Sequence, residues 1–234
     1  MINKIIFLTD YPFGERDYQR FGIEVLQKNN FEVEIWDVTP ISRAKVFAKI
    51  KIVDPINYGK CYEYRDKKEV KSAIFNLDRD KCLFVFLLHY SLSSYWLFRA
   101  ISKRRLRYSF FMANVLPSAN NQIQRQERSF LFYLKKIKKI TLTKLIIRAI
   151  NHIPFNFLGI KAADLVLAGG EESGPAFYRN NPVDKKTKIL WIHTLDYDIY
   201  LEKKDQPAEF KQKFAVFLDQ YFPVDPDYLI FGFP

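Results

Sequence analysis

A glycine pair followed by acidic residues carries the strongest chemical signal in the sequence. Gly169 and Gly170 end an aliphatic run, and glycines at such a point let backbone amides come close to a ligand. Glu171, Glu172 and Ser173 follow, with side chains that can hold or deprotonate an acceptor hydroxyl. A tight turn that starts a helix would carry the same letters, because carboxylates are favourable in a first helical turn. We take both glutamates as candidate general bases and the other three residues as candidate acceptor contacts.

His193 is a third candidate base. It follows a short apolar run, and Asp196 and Asp198 lie within one helical turn of it. A carboxylate that orients the imidazole would suit His193 to proton transfer, although a strand-ending His before a helix-capping Asp gives the same pattern. We assign Asp196 to acceptor binding. No second His or Cys lies at metal-ligand spacing, so we expect no bound metal.

Asp10 and His89 each end an apolar run and are candidate acceptor contacts. His89 comes directly after seven uninterrupted apolar residues, 82–88, and Asp10 after the run 4–9. A polar residue at such a place emerges at the end of a strand. Both also have a purely local interpretation, since Asp before Tyr-Pro forms turns and a terminal His can bond nearby backbone.

Alternating strand and helix patterns explain how these residues would come together. The sequence predicts helices near 18–26, 67–77 and 96–101, and strand 31–38 alternates apolar and acidic residues, which predicts one wetter face. This alternation indicates an α/β fold with an open, doubly wound, mostly parallel sheet, whose ligands bind at the carboxyl ends of the strands. The predicted strands are 4–9, 31–38, 82–88, 108–115, 164–168 and 188–193.

The net charge of +11 is concentrated in one stretch. Residues 99–148 hold thirteen Lys or Arg and one acidic residue, Glu127. The apolar positions within 142–150 follow helical spacing, so a basic amphipathic helix on an anionic membrane and an ordinary helix with a solvated Lys face fit equally. The candidate membrane or phosphate contacts are Lys135, Lys136, Lys138, Lys139, Lys144 and Arg148.

Several function classes lack their sequence signatures. The chain has no serine nucleophile elbow of the Gly-x-Ser-x-Gly type. It also has no P-loop and no full Gly-x-Gly-x-x-Gly, so a dinucleotide or ATP site is not expected. Helix-turn-helix, RNP and zinc patterns are missing too, so we expect no nucleic-acid partner. No apolar run approaches the length of a membrane span, and two cysteines without metal or redox spacing suit a reducing cytoplasm.

Four segments, 4–12, 163–170, 192–198 and 214–223, resemble bacterial glycosyltransferases of the GT-B fold that build surface polysaccharides. The resemblance implies a Rossmann-like acceptor domain at 1–205, with 206–234 forming a linker and the first strand of a C-terminal donor domain. It implies sugar transfer from a nucleotide sugar, bound by the donor domain, to a glycan or lipid-linked acceptor without a cofactor. The chain by itself is then expected to be inactive, and the enzyme to sit in the cytoplasm or on the inner face of the plasma membrane.

A different class of protein fits the same residues. A non-catalytic, flavodoxin-like module with a basic patch for a membrane or another polyanion would have the same alternation of strands and helices. The segment 214–231 separates the two, because a single complete domain would use it as strands or a packed edge of its own sheet, whereas part of a two-domain enzyme would leave it poorly packed.

Overall fold

Seven parallel strands form one sheet in the computed structural model, which describes residues 1–48, 56–112, 154–170, 181–193 and 195–207. The strand order is β3-β2-β1-β4-β5-β6-β7, and every neighbouring pair is parallel. The predicted doubly wound α/β sheet is therefore confirmed, and it is Rossmann-like. The strands are β1 (Lys4–Thr9), β2 (Glu32–Asp37), β3 (Cys61–Glu63), β4 (Cys82–Phe86), β5 (Arg107–Met112), β6 (Leu165–Ala168) and β7 (Lys188–Trp191).

Helices connect these strands and cover both faces of the sheet. Helices α1 and α2 share one apolar cluster with the sheet, and α5 and α6 share the other. The described helices are α1 (Glu15–Arg20), α2 (Ile23–Lys28), α3 (Thr39–Ser42), α4 (Ala44–Phe47), α5 (Lys67–Phe75), α6 (Tyr95–Lys103) and α7 (Leu195–Lys203).

Strand β1 shows why the central strands of the sheet have almost entirely apolar sequences. Its side chains alternate between the two apolar clusters, Ile6 and Leu8 in one and Ile5 and Phe7 in the other. A parallel strand buried on both faces needs an apolar residue at each position, which the sequence supplies.

Aromatic rings fill the cluster under α6. Phe98 of α6 lies 4.7 Å from Phe86 between ring centroids and 5.9 Å from both Tyr108 and Phe110. All four side chains are fully buried. These edge-on and stacked contacts fix α6 on β4 and β5, and so fix the loop that joins β4 to α6.

Two sequence expectations are wrong in detail. Glu32 is exposed as predicted, but the rest of the wetter face of β2 is covered, because Glu34 is buried, pairs with Lys4 at 2.6 Å and accepts a hydrogen bond from Trp36 Nε1 at 2.9 Å. The single helix expected across 18–26 is two helices that break at residues 21–22, and Val25, counted on its apolar face, is 61% exposed. The first error arises because Lys4, the partner of Glu34, lies on β1, and the second because Gly22 takes a left-handed conformation with a φ of 63° between the two helices.

The direction of winding reverses between β1 and β4. From β1 the chain builds outward through β2 to β3, then crosses back and continues through β4 to β7. The connections on either side of this point diverge, which opens a crevice beyond the carboxyl ends of β1 and β4. This crevice is where the sheet itself favours a ligand.

Two further predictions concern membrane-spanning helices and the second domain. Within the described ranges, no helix has the length and apolar character needed to cross a membrane. The segment 208–234, which holds the predicted first strand of a donor domain, lies outside the described residues. The proposed domain division therefore stays a prediction.

Candidate functional site

Three ionisable side chains lie around the crevice between β1 and β4. Asp10 directly follows β1, and its Oδ2 accepts a hydrogen bond from Arg43 Nε at 3.0 Å. His89 lies three residues beyond β4. His89 is exposed, but partial desolvation lowers its pKa, while the charge of Asp10 raises this pKa and that of Arg43 lowers it. The structure thus brings together Asp10 and His89, which the sequence placed at separate strand ends, and adds Arg43.

Short-range hydrogen bonds hold the two loops that carry this cluster. After β1, the hydroxyl of Thr9 accepts from the amide of Tyr11 and donates to the carbonyl of Tyr11. After β4, the carbonyl of His89 accepts from the hydroxyl of Ser94, which is buried at the start of α6. Both loops are therefore set by the strands and helix that they join, as a preformed ligand site requires.

Asp37 is a buried carboxylate at the same edge of the sheet. It is the last residue of β2 and is 6% exposed, and its Oδ1 accepts from both the amide, at 2.8 Å, and the hydroxyl of Thr39. Burial raises the pKa of Asp37 to about 6, and the charges of Glu63 and Asp10 raise it as well, against the two hydrogen bonds from Thr39. A carboxyl that titrates near pH 6 can exchange a proton at physiological pH.

The three carboxylates around this edge differ in their partners. Asp10 is paired with Arg43, and Glu63 is paired with Arg65 at 2.8 Å. For Asp37 the described contacts are the two hydrogen bonds from Thr39. The crevice therefore carries the Asp10–Arg43 ion pair and His89, with the buried Asp37 at the same edge of the sheet.

The turn between β1 and α1 is poorly suited to a diphosphate. Dinucleotide sites in this kind of sheet place the diphosphate at the start of the first helix, over closely approaching glycines. Here the amide of Gly14 donates to Asp17 Oδ2 at 3.3 Å, and Glu15 adds a second carboxylate to the first turn of α1. Two negative charges at this position repel a phosphate.

The glycine pair lies at the carboxyl end of β6, two strands from β4. Gly170 has a φ of 116°, a conformation that residues with a Cβ rarely adopt, so the turn depends on glycine. At a strand spacing of about 4.8 Å this turn is roughly 10 Å along the sheet from His89. Glu171, Glu172 and Ser173 lie outside the described residues.

His193 lies at the far edge of the described sheet, beyond β7. Its Nε2 is 3.0 Å from Asp198 Oδ1, and its ring contacts Tyr197 with 5.1 Å between centroids. Asp196 lies on α7 as well. The His and its carboxylate partner are both more than half exposed, and three strand spacings, roughly 14 Å, separate β7 from β4. This pair is thus remote from the β1–β4 crevice.

The cationic candidates Lys135, Lys136, Lys138, Lys139, Lys144 and Arg148 all lie outside the described residues.

The sequence analysis missed two residues of the crevice. Asp37 had a usable signal, because it ends a strand as Asp10 does. Arg43 had none, since its approach to Asp10 depends on the path of α3 after β2.

Comparison with known proteins identifies no family for the chain. No family model matches it, and no curated protein matches it. The solved structures that match include two crystal structures of the Bordetella bronchiseptica enzyme WbmF. The complex with NAD+ is 11% identical over 52% of this chain and 41% of its own, with a TM-score of 0.30. The complex with NADH is 10% identical over 51% and 39%, with a TM-score of 0.31. The matched region spans about two fifths of either WbmF chain, and likeness at this level says nothing of substrate or cofactor.

Proposed function

We propose that this chain is the acceptor-binding part of a glycosyltransferase that moves a sugar from a nucleotide sugar to a hydroxyl of a glycan or lipid-linked acceptor. The grouping of Asp10, Arg43 and His89 at the winding reversal of the sheet supports this proposal. The sheet favours ligand binding at this point, and the three groups can bind a hydroxyl and accept its proton.

In this proposal His89 has the role of proton acceptor. The lowered pKa keeps its imidazole neutral near pH 7, so a ring nitrogen is available to a proton. The acceptor oxygen forms a bond to the anomeric carbon of the donor, and the bond from that carbon to the nucleoside diphosphate breaks. The hydroxyl proton passes to His89, and the diphosphate leaves with the electron pair of the broken bond.

Asp10 and Arg43 would position the acceptor. Their ion pair joins Arg43 Nε to Asp10 Oδ2 at 3.0 Å and is only partly exposed, so the two side chains are held in a fixed arrangement. Carboxylate and guanidinium groups bind vicinal hydroxyls or a phosphate of the acceptor by charge-assisted hydrogen bonds. Glu171 and Glu172 remain alternative bases, because they follow the glycine turn at the same edge of the sheet.

The test is sugar transfer by the full natural chain from a panel of nucleotide sugars to a polyprenyl-linked acceptor. We expect His89→Gln to lower kcat by about 100-fold with little change in KM, the usual cost of removing a general base. Because the base acts when neutral, wild-type activity should rise with pH through a pKa below 6.5, and His89→Gln should lose this limb. Asp10→Asn should raise KM for the acceptor.

His193→Gln is the matched control, since it removes an imidazole from the far edge of the same sheet. Equal loss in both histidine variants would contradict the assignment of His89, and unchanged activity in His89→Gln would remove it from the reaction. A wild-type chain that binds the acceptor but transfers no sugar from any donor would favour the non-catalytic module instead.

A further inference from the structure

The loop 154–160 presents an exposed phenylalanine on the side of the sheet where the strands begin, opposite the crevice at their carboxyl ends. Four backbone hydrogen bonds close the loop on itself, and Tyr95 and Arg99 of α6 both donate to the carbonyl of Leu158, at 3.2 and 2.8 Å. Gly159 has a φ of 70°, a conformation that favours glycine, and a Cβ there would lie 2.3 Å from Arg99 Nη1, so a larger residue would displace the arginine that holds the loop. In this fixed loop Phe157 is 85% exposed.

An open cleft lies beside this phenylalanine. It has a volume of about 460 Å³ and is found where α6 ends and β5 and β6 begin. Phe157 falls between two of the lining residues, Asn156 and Gly159. The cleft is lined by Ser102, Arg105, Asn156, Gly159, Ile160 and Lys161.

Cations surround the cleft and continue along the same edge. Lys103, Arg105 and Arg107 are exposed, and no described acidic group pairs with any of them, whereas Lys161 is paired with Asp164. Arg104 lies over Phe75, 4.8 Å from its ring centroid, and Phe75 is itself 66% exposed at the end of α5. Two exposed phenylalanines thus flank a row of unpaired positive charges.

Arg105 occupies a backbone conformation that argues for a role of its side chain. Its φ is 53°, and the amides of Arg105 and Leu106 bond back to the carbonyls of Ser102 and Ile101. A helix that ends in this way normally has glycine at the left-handed position, because a side chain there is strained. An arginine at this point suits a contact outside the fold better than the fold itself.

We propose that this surface, Phe75, 103–107 and Phe157 with the adjoining cleft, docks on an anionic membrane. The cations would contact lipid phosphates, the cleft would take one headgroup, and Phe157 would enter the acyl boundary. Charge complementarity selects an anionic surface, and exposed phenylalanines among cations are typical of proteins that lie at a lipid interface. This site does not depend on the proposed sugar transfer, because it lies at the amino ends of the strands.

The experiment is sedimentation of the full chain with vesicles of phosphatidylglycerol and phosphatidylcholine, compared with phosphatidylcholine alone. We expect the wild-type chain to bind the anionic vesicles and Phe157→Ser to weaken binding by about tenfold through lost burial of the ring. Arg105→Gly should weaken it by about fivefold for one lost cation, while its urea unfolding midpoint does not fall. That combination distinguishes a docking residue from a structural one.

The matched controls are Tyr200→Ser, an exposed aromatic residue on α7, and Lys68→Gln, an exposed cation at the start of α5. Both should bind as the wild-type chain does. The proposal is overturned if Phe157→Ser and Arg105→Gly bind as wild type, since binding would then rest on another segment such as 113–150. It is also overturned if the wild-type chain ignores anionic vesicles, or if inorganic phosphate competes while Phe157→Ser changes nothing, which would mark a site for a soluble anion.

Discussion

Replacing Asp37 by asparagine should stabilise the protein at neutral pH. The carboxyl is buried, and its pKa is raised from 3.8 to about 6. The folded chain therefore binds a proton more tightly than the unfolded chain, so the stability linked to this group is present below about pH 4 and is lost as pH rises through 6. A shift of this size corresponds to about 3 kcal/mol of unfolding free energy at pH 7.5.

An asparagine keeps the contacts of Asp37 and removes its titration. Its Oδ1 can accept the same two hydrogen bonds from Thr39, and the charges of Glu63 and Asp10 no longer oppose it. We expect Asp37→Asn to unfold with about 3 kcal/mol more free energy than wild type at pH 7.5, and with a difference of only about 0.5 kcal/mol at pH 4.

Urea denaturation followed by tryptophan fluorescence, from pH 4 to pH 8, measures this difference directly. Thr39→Val provides the opposite control, because loss of the hydroxyl donor removes an interaction that lowers the pKa of Asp37 and should steepen the decline with pH. The reasoning is refuted if Asp37→Asn is less stable than wild type at pH 7.5, or if its advantage does not grow between pH 4 and pH 7.5.

Three further predictions concern other parts of the chain. Gly159→Ala should cost about 2 kcal/mol of stability, because it combines a strained positive φ with a clash on Arg99; thermal unfolding checks this, and an unchanged midpoint would contradict the described loop. In an active full-length enzyme, Glu171→Ala should lower turnover with folding intact, and an unchanged rate would exclude this residue as the base. Reversing four lysines to Glu should release the protein from anionic vesicles if the basic segment also binds them, and unchanged sedimentation would limit docking to the described surface. The four are Lys135, Lys136, Lys138 and Lys139.

The fold was predictable because the central strands carry their own signal. Strands β1 and β4 are buried on both faces, so their sequences are continuous apolar runs whose ends can be located. The short strand β3 and the four-residue helices α3 and α4 gave no such signal. Segments of this length contain too few residues to show a period, and neighbouring strands determine their structure.

The candidate site was predictable only as a set of positions at strand ends. Asp10 and His89 follow from the rule that ligands bind at the carboxyl edge, but their closeness depends on β1 and β4 being neighbours, which strand order decides. Glu34 likewise could not be placed from the sequence of its own strand, since its acidic side chain suggested a solvent-exposed face. Partners from β1 and from its own strand, Lys4 and Trp36, allow it to be buried.

The two proposed roles belong to opposite ends of the strands. The crevice lies at the carboxyl ends of the strands and the cationic surface at the amino ends, and the six residues of β5 set a separation of about 20 Å between them. Substitutions this far apart, with no shared partner, act independently. Loss of membrane docking in Phe157→Ser should therefore leave the groups around His89 intact, so a soluble acceptor would report on the crevice alone and a lipid-linked acceptor on both edges together.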